Sequence, residues 1–214
     1  MLWSERIKAP AFWSLLSACQ EEPYLTIWHG ATARYSMICF QPFLRFIAQN
    51  AQYTLNDASI QLNSPWAWMR ATCQRFSLSQ TVAESPMQLG MMGYLGYEFA
   101  SLLAPCEDMP AADPSPLPDC VLYAYSHGMV YDHAQQTLIL MATGWPETAP
   151  KARAENAQSQ LAALKQVVER QKALGALPDR FVSSVQSNFN ADTYPAAVRE
   201  LQAAILRGDL FQAN

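Results

Sequence analysis

Apolar residues recur along this chain at two spacings, one typical of helices and one typical of strands. Spacings of three and four residues after Pro10 and Pro65 predict helices over about 12–19 and 65–76, the second with Ser64 as its N-cap. Segments rich in aromatic and β-branched residues predict strands, and these lie at residues 24–28, 35–40, 88–97, 120–125, 129–131 and 137–141.

Turn residues divide these strands into antiparallel units. Asn56 and Asp57 predict the turn of a hairpin within 43–62, and residues 132–135 predict a turn between the last two strands. Strand 88–97 carries three glycines, which indicates a buried strand approached closely by another backbone. The proline-rich segment 104–118 predicts a loop. The strands that follow this loop predict a consecutive meander.

The last third of the chain changes to a helical composition. Residues 147–174 predict a long amphipathic helix that ends near Gly175, and 181–185 a short strand. A final helix is predicted to begin at Asp192, to bury a stripe of apolar residues and to end at Gly208. The stripe consists of Tyr194, Val198, Leu201 and Ile205. A strand is predicted over 210–214, and an end inside such a segment predicts the front part of a longer fold.

These elements predict an α+β fold in which antiparallel β-sheet layers form a sandwich core with flanking helices. The predicted division is an N-terminal region over 1–150, a helical linker over 151–180, and the start of a further region over 181–214.

Composition and charge exclude several classes of function. Half of the residues are hydrophobic and 15% are charged, which excludes a disordered chain. With 14 Lys and Arg against 18 Asp and Glu, the net charge is −4, so nucleic acid is not an expected partner. Five cysteines without a C-x-x-C pair favour the reducing cytoplasm. No apolar run of about 18 residues occurs, and no membrane association is predicted.

The residues alone predict no catalytic and no metal site. The glycines at 90, 93 and 96 lack the spacing of a dinucleotide-binding loop, so strand packing is the better interpretation. His127 and His133 have no third ligand nearby, which favours structural roles. His29 lies at a loop beside Trp28, and a turn role and a ligand contact both stay open.

Three stretches in a fixed order and spacing resemble a known family. They are ARYSMI at 33–38, GYLGYEF at 93–99 and the segment 188–214, which ends in GDLFQAN. Together they resemble the chorismate-utilising enzymes, the large subunits of aminodeoxychorismate synthase and anthranilate synthase. The resemblance spans essentially all 214 residues. The segment 125–133, YSHGMVYDH, is more similar to the para-aminobenzoate branch, aminodeoxychorismate synthase component I, than to anthranilate synthase component I.

The resemblance implies both a fold and a reaction. The family fold is α+β, with the active site in the C-terminal part. In the reaction, ammonia from a glutamine amidotransferase partner replaces the 4-hydroxyl of chorismate, and Mg²⁺ helps to bind chorismate. The product of the para-aminobenzoate branch leads to folate. The family's catalytic lysine, magnesium-binding glutamates and carboxylate-binding residues lie in its later half, so this chain is expected not to convert chorismate alone and not to bind Mg²⁺.

The resemblance also implies an effector site for L-tryptophan in the N-terminal part. One wall of the family site ends an early strand, and here it falls on Trp28 and His29 or on His29 and Gly30, depending on a gap. Further residues of the family site lie in its later half. The serine that the family carries in this wall has no counterpart here. The second wall is a close match, formed by Ala33, Arg34, Tyr35 and Ser36. Two alternatives stay open, namely a non-catalytic module that binds tryptophan or docks a partner, and a truncated product without an independent role.

Overall fold

The computed structural model describes residues 2–30, 32–78, 81–82, 85–97, 99–100, 117–171, 184 and 186–213. The chain divides into two compact units, Met1–Leu174 and Gly175–Asn214. The strands of the described residues, in chain order, are β1 (Trp3–Lys8), β2 (Thr26–Trp28), β3 (Tyr35–Cys39), β4 (Leu44–Gln49), β5 (Gln52–Leu55), β6 (Ala58–Ile60), β7 (Met91–Leu95), β8 (Cys120–Ala124), β9 (His127–Asp132) and β10 (Thr137–Ala142). The helices are α1 (Phe12–Cys19), α2 (Pro65–Arg75), α3 (Pro150–Glu169) and α4 (Thr193–Arg207).

The strands of the first unit form two antiparallel five-stranded sheets. Sheet A has the order β1-β10-β9-β3-β2, and sheet B has the order β6-β5-β4-β8-β7. The chain passes from sheet A to sheet B between β3 and β4, and returns between β8 and β9. The predicted α+β class with antiparallel sheets and flanking helices is confirmed.

Three apolar clusters hold the first unit together. On one face of sheet A, Ile38, Phe40 and Met129 pack against α1 and α3, which contribute Leu15 and Leu164. On the opposite face of sheet A, a second cluster includes side chains from sheet B, so the two sheets share it; its members include Met37, Cys39, Val130, Met92 and Tyr123. A third cluster lies between sheet B and α2 and includes Phe46, Met69 and Trp68.

Strand β3 divides its side chains between two of these clusters because successive residues of a strand point to opposite faces. Ile38 belongs to the cluster beneath α1 and α3, whereas Met37 and Cys39 belong to the cluster shared with sheet B. All three are almost fully buried. This two-sided burial explains why the segment is a nearly continuous apolar run in the sequence.

Local signals placed the helices of the first unit correctly. Helix α2 begins with Pro65, and its predicted N-cap Ser64 accepts a hydrogen bond from the backbone N–H of Ala67 at 3.2 Å. The predicted turn at Asn56 and Asp57 is confirmed, and both residues have positive φ, as a two-residue hairpin requires. The segment predicted as a linker helix contains α3, which buries Leu164, Val167 and Val168 against sheet A.

Several strand predictions are wrong, each because pairing partners were not visible in the sequence. Strand β1 was not expected, because half of its residues are charged and it lacks the apolar alternation of a typical strand. It lies at the edge of sheet A, where charged residues are common. Strand β7 was expected to be buried, but it is the edge of sheet B and its last three residues are exposed. Strand β8 was expected to continue into a meander with β9, but it pairs with β4 and β7 instead.

In the second unit, the final helix forms as predicted and ends at Gly208, which has φ of +83°. Its start is also as predicted, with Asp192 at the N-cap position, although the Asp192 side chain makes no capping hydrogen bond. The Asn190 side-chain oxygen instead accepts from the backbone N–H groups of Asp192 and Thr193. Among the described residues α4 buries none, so the expected core stripe is wrong, and 210–213 do not form the expected strand. Most of the predicted loop at 104–118 and strand at 181–185 lies outside the described residues.

Gly93 in β7 provides a test of the pairing between β7 and β8. A Cβ atom at this position would lie 1.8 Å from the carbonyl oxygen of Val121, a contact that the backbone of β8 cannot relieve. We expect Gly93→Ala to lower the free energy of unfolding by about 1–3 kcal/mol in urea denaturation. Gly90→Ala is the matched control, since a Cβ there meets nothing within 4 Å, and a change of about 0.5 kcal/mol or less is expected. Equal destabilisation by both variants would contradict the prediction.

Candidate functional site

A buried serine joins two histidines at one end of sheet A. His29 follows β2, Ser36 lies in β3, and His133 follows β9. They meet because β3 pairs antiparallel with both β2 and β9, with Ser36 opposite Tyr131. The Ser36 Oγ lies 2.7 Å from His29 Nδ1 and 2.7 Å from His133 Nε2. Ser36 has no exposed surface, whereas His29 is exposed.

Aromatic rings of α1 and β9 pack around these imidazoles. Phe12 stacks on His29 with ring centroids 4.8 Å apart, and its ring meets His133 edge to face at the same distance. Tyr131 lies 4.7 Å from His133 and donates its hydroxyl hydrogen bond to the carbonyl of Pro10 at 2.8 Å. The start of α1 is therefore tied to the end of β9, and the rings limit how far the two imidazoles can turn.

An ion pair lies beside the histidines. Arg34 donates to both carboxylate oxygens of Asp132, from Nη2 at 2.8 Å and from Nε at 3.2 and 3.3 Å. Asp132 is almost fully buried, with 5% of its side chain exposed, while half of the Arg34 side chain is exposed. The carboxylate also accepts from the backbone N–H groups of Ala134 and Gln135, at 3.0 and 3.1 Å. Asp132 thus shapes the β9–β10 turn and orients Arg34.

These contacts change the protonation of the site. The hydrogen bonds from Arg34, aided by the backbone N–H groups of Gln135 and Ala134, lower the pKa of Asp132 to about 2 against the opposing effect of burial. Burial, together with the neighbouring His29, lowers the pKa of His133, and Asp132 opposes this shift. Near neutral pH, Asp132 is therefore a carboxylate and His133 favours its neutral form.

The structure brings together some of the predicted site residues and separates others. His29 and Ser36 are in direct contact, and Arg34 is adjacent through the alternation of β3. Tyr35 packs against the cluster shared with sheet B, on the opposite face of sheet A, and the Arg34 guanidinium carbon lies 4.9 Å from the centroid of its ring. Gly30 and Ala33 close the β2–β3 connection, with the Ala33 N–H donating to the Gly30 carbonyl at 3.0 Å.

Sequence reasoning missed three residues of this site, namely Phe12, Asp132 and His133. Asp132 was read only as a turn residue and His133 only as a structural histidine. Asp132 lies 98 positions from Arg34, and His133 lies 97 positions from Ser36, so local spacing in the sequence does not indicate either contact. The sequence does indicate one contact, because an Asp at the start of a turn commonly accepts hydrogen bonds from the backbone N–H groups that follow it. Asp132 accepts such bonds from Ala134 and Gln135.

A cavity of about 260 Å³ lies elsewhere in the first unit, between α2 and the strands of sheet B. Its walls include Phe43, Phe76, Leu89, Met91 and Trp145. None of the described residues that line it carries a charged side chain.

Comparison with known proteins gives the family of the chain. The family described as chorismate binding enzyme matches residues 23–214. The chain therefore belongs to the chorismate-binding enzymes, and the resemblance found in its motifs is confirmed.

Two curated proteins and one solved structure define the relationship further. Anthranilate synthase component 1 of Cereibacter sphaeroides is 30% identical over 193 residues, covering 84% of this chain and 38% of that protein. Probable anthranilate synthase component 1 of Schizosaccharomyces pombe is 29% identical over 130 residues, covering 58% of this chain and 26% of that protein. The crystal structure of anthranilate synthase component I from Streptococcus pneumoniae TIGR4 matches with a TM-score of 0.58 and 23% identity, covering 96% of this chain and 46% of that one. The chain thus spans less than half the length of each of these proteins.

The described residues contain neither a cluster of metal ligands nor a membrane-spanning helix. In the described ranges, no three His, Cys, Asp or Glu side chains lie close enough together to hold a metal ion. Within those ranges, no helix has both the length and the apolar character needed to cross a membrane.

The Arg34–Asp132 pair predicts a particular pH dependence of stability. The pKa of Asp132 is lower in the folded chain, about 2, than its ordinary value of 3.8. The stabilisation of the folded chain by the Asp132 carboxylate is therefore complete above about pH 4, and it is lost as the pH falls toward 2. We expect Asp132→Asn to lower the Tm at pH 7 by several degrees, and the difference from wild type to narrow between pH 4 and 2.

The control for this pH series is Glu155→Gln, which removes an exposed carboxylate paired with the exposed Lys151. Exposed ion pairs contribute little, so a small change in Tm is expected at every pH. A constant difference between wild type and Asp132→Asn from pH 7 to 2 would show that the lowered pKa is not the cause.

Proposed function

We propose that this chain is the N-terminal portion of an aminodeoxychorismate synthase component I. The complete enzyme converts chorismate and ammonia, supplied by a glutamine amidotransferase subunit, to 4-amino-4-deoxychorismate for para-aminobenzoate and folate synthesis. It acts in the cytoplasm, which agrees with four unpaired cysteines in the described residues. Mg²⁺ belongs to the complete enzyme and is held by residues other than those of this chain.

The observation that carries this proposal is the family match over residues 23–214 together with the segment 125–133. That segment, YSHGMVYDH, supplies β9 and the start of the β9–β10 turn, including Asp132 and His133. Its similarity to the para-aminobenzoate branch favours aminodeoxychorismate as the product.

A second candidate is the N-terminal portion of an anthranilate synthase component I. The observation that favours it is the similarity to anthranilate synthases, since the Cereibacter sphaeroides protein that is 30% identical to this chain is an anthranilate synthase component 1. Both candidates use chorismate and ammonia, and they differ in the product released.

The role that we assign to this chain is structural and regulatory rather than catalytic. The resemblance places the lysine and glutamates that act on chorismate in the later half of the family sequence. The contacts at the end of sheet A, in contrast, are complete within these residues: the histidine pair through Ser36, and the ion pair between Arg34 and Asp132. The chain thus offers a preorganised polar site without the groups that amination requires.

Turnover assays test this division of roles. We expect the purified 214-residue chain, given chorismate, ammonium and Mg²⁺, to form no detectable aminated product. The protein encoded by the whole reading frame that contains residues 1–214 is the positive control. Para-aminobenzoate, measured after adding the lyase that releases it, identifies the first candidate, and fluorescent anthranilate identifies the second. Turnover by the chain alone would overturn the proposed division.

We further propose that His29, Gly30, Ala33, Arg34, Tyr35 and Ser36 contribute to a site for an amino-acid effector of the tryptophan type. The exposed half of Arg34 offers a cation to a carboxylate, and Asp132 holds the guanidinium in place. Tyr35, which faces the other side of sheet A, acts by packing beneath the site rather than by contact with the effector. The same site supports the non-catalytic alternative, a module that binds an effector.

Calorimetry with L-tryptophan tests the effector proposal. We expect Arg34→Ala to weaken binding on the order of tenfold, because a charge-assisted hydrogen bond to the carboxylate is lost. Lys151→Ala is the matched control, since it removes the same charge from the exposed first turn of α3 and is expected to leave the Kd unchanged. Equal affinity of wild type and Arg34→Ala would remove Arg34 from the site.

A further inference from the structure

We propose that His133 is a positioning residue that determines, through the Ser36 hydroxyl, which ring nitrogen of His29 carries hydrogen. The hydrogen bonds among these three side chains persist when one proton is added and are disrupted when a second is added. The inference deepens the effector proposal and rests on it only for the ligand. The geometry of the three side chains is independent of any ligand.

The hydroxyl of Ser36 has one hydrogen, and this limits what the two imidazoles can do. Each histidine nitrogen lies 2.7 Å from the same Oγ. That oxygen can accept two hydrogen bonds, but the Ser36 hydrogen has a partner here only if Ser36 donates to one nitrogen and accepts from the other. Ser36 is fully buried, so water does not replace a missing partner. One of the two facing nitrogens must therefore carry a hydrogen while the other does not.

Two neutral arrangements satisfy this condition. In the first, His133 Nε2 donates to Ser36, Ser36 donates to His29 Nδ1, and His29 carries its hydrogen on Nε2. In the second, His29 Nδ1 donates to Ser36, Ser36 donates to His133 Nε2, and His29 Nε2 is an acceptor. The tautomer of His133 thus determines that of His29, although their rings are 5.5 Å apart.

One added proton leaves both hydrogen bonds intact. A charged His133 can only donate to Ser36, so Ser36 donates to His29 Nδ1 and His29 Nε2 bears hydrogen. A charged His29 donates from Nδ1, and its Nε2 also bears hydrogen. In either case His29 presents an N–H donor on the nitrogen that Ser36 does not contact. Such a donor suits the carboxylate of an amino-acid effector.

A second added proton breaks the arrangement. Both facing nitrogens then donate, the Ser36 hydrogen loses its acceptor, and two charged rings lie 5.5 Å apart. In the described residues, the charged and titratable groups that face these rings are Asp132 and Arg34 at the strand ends and the phenol of Tyr131. Helix α1 contributes only the uncharged rings of Phe12 and Trp13. Because Asp132 already forms an ion pair with Arg34, its negative charge does little to stabilise a second positive charge on the histidines.

The two proton affinities are expected to differ by at least about tenfold, which the loss of one hydrogen bond alone accounts for. Repulsion between the two charged rings adds to this difference. Long-range ¹H–¹⁵N NMR of the 214-residue chain measures both steps and the tautomers directly, since the chain has three histidines. The third, His127, is a reference that stays neutral over most of the titration, because burial lowers its pKa to about 4.

Two results are expected from the wild-type chain. Above pH 8, one of the nitrogens His29 Nδ1 and His133 Nε2 bears hydrogen and the other does not. Below that, the two histidines titrate in two separate steps rather than together. Hydrogen on both facing nitrogens or on neither at high pH, or steps within about threefold of each other, would overturn the proposal.

Two variants separate the hydrogen-bonded link from simple proximity. In Ser36→Ala the hydrogen-bonded link is lost, so the separation between the two proton affinities should shrink by about tenfold. If Ser36→Ala fails to fold, His133→Gln keeps a hydrogen-bonding group that does not titrate, and His29 should then titrate in one step with both tautomers populated. An unchanged separation in Ser36→Ala, or a single fixed tautomer of His29 in His133→Gln, would overturn the link.

Calorimetry with L-tryptophan and with tryptamine, which lacks the carboxylate, tests the ligand part separately. Tighter binding of L-tryptophan after the first protonation step, without the same gain for tryptamine, is expected. If neither compound binds but the NMR results hold, the effector proposal fails and the proton link stands. If binding occurs while the tautomers are independent, the proton link fails and the effector proposal stands.

Discussion

Strand β3 lies between β2 and β9 in antiparallel register, and the candidate site depends on that register. The pairing places Ser36 opposite Tyr131 and Tyr35 opposite Asp132, so the residues at the ends of three strands converge. A shift by one residue would turn Ser36 toward the cluster shared with sheet B and Tyr35 toward α1. The register is held by burial on both faces, with Ile38 on one side and Met37 and Cys39 on the other.

The buried hydroxyl of Ser36 gives this end of the sheet its chemical character. A hydroxyl in this position is stable only when its hydrogen and a lone pair are both satisfied. Two imidazoles meet that requirement, and aromatic rings from α1 and β9 keep them in position. The Arg34–Asp132 pair adds a buried carboxylate whose charge the turn amides and the guanidinium stabilise together. Stability and protonation are therefore coupled in one small group of residues.

The chain belongs to the chorismate-binding enzymes and spans only part of the length of its relatives. The chain spans 38% of the Cereibacter sphaeroides protein and 46% of the Streptococcus pneumoniae structure. This portion holds two five-stranded sheets and three apolar clusters. The contacts at the end of sheet A arise from the pairing of β3 with β2 and β9.

The sequence by itself determined the helices of the first unit, the Asn56–Asp57 turn, most strand positions and the family, because caps, turn residues and motif spacing act over a few residues. It also indicated His29 and Arg34 as site residues through the resemblance. It did not indicate that β1 exists, that β7 is an exposed edge, or that Asp132 and His133 complete the site. Those features depend on which strands pair across about 100 residues, and only the tertiary structure decides that pairing.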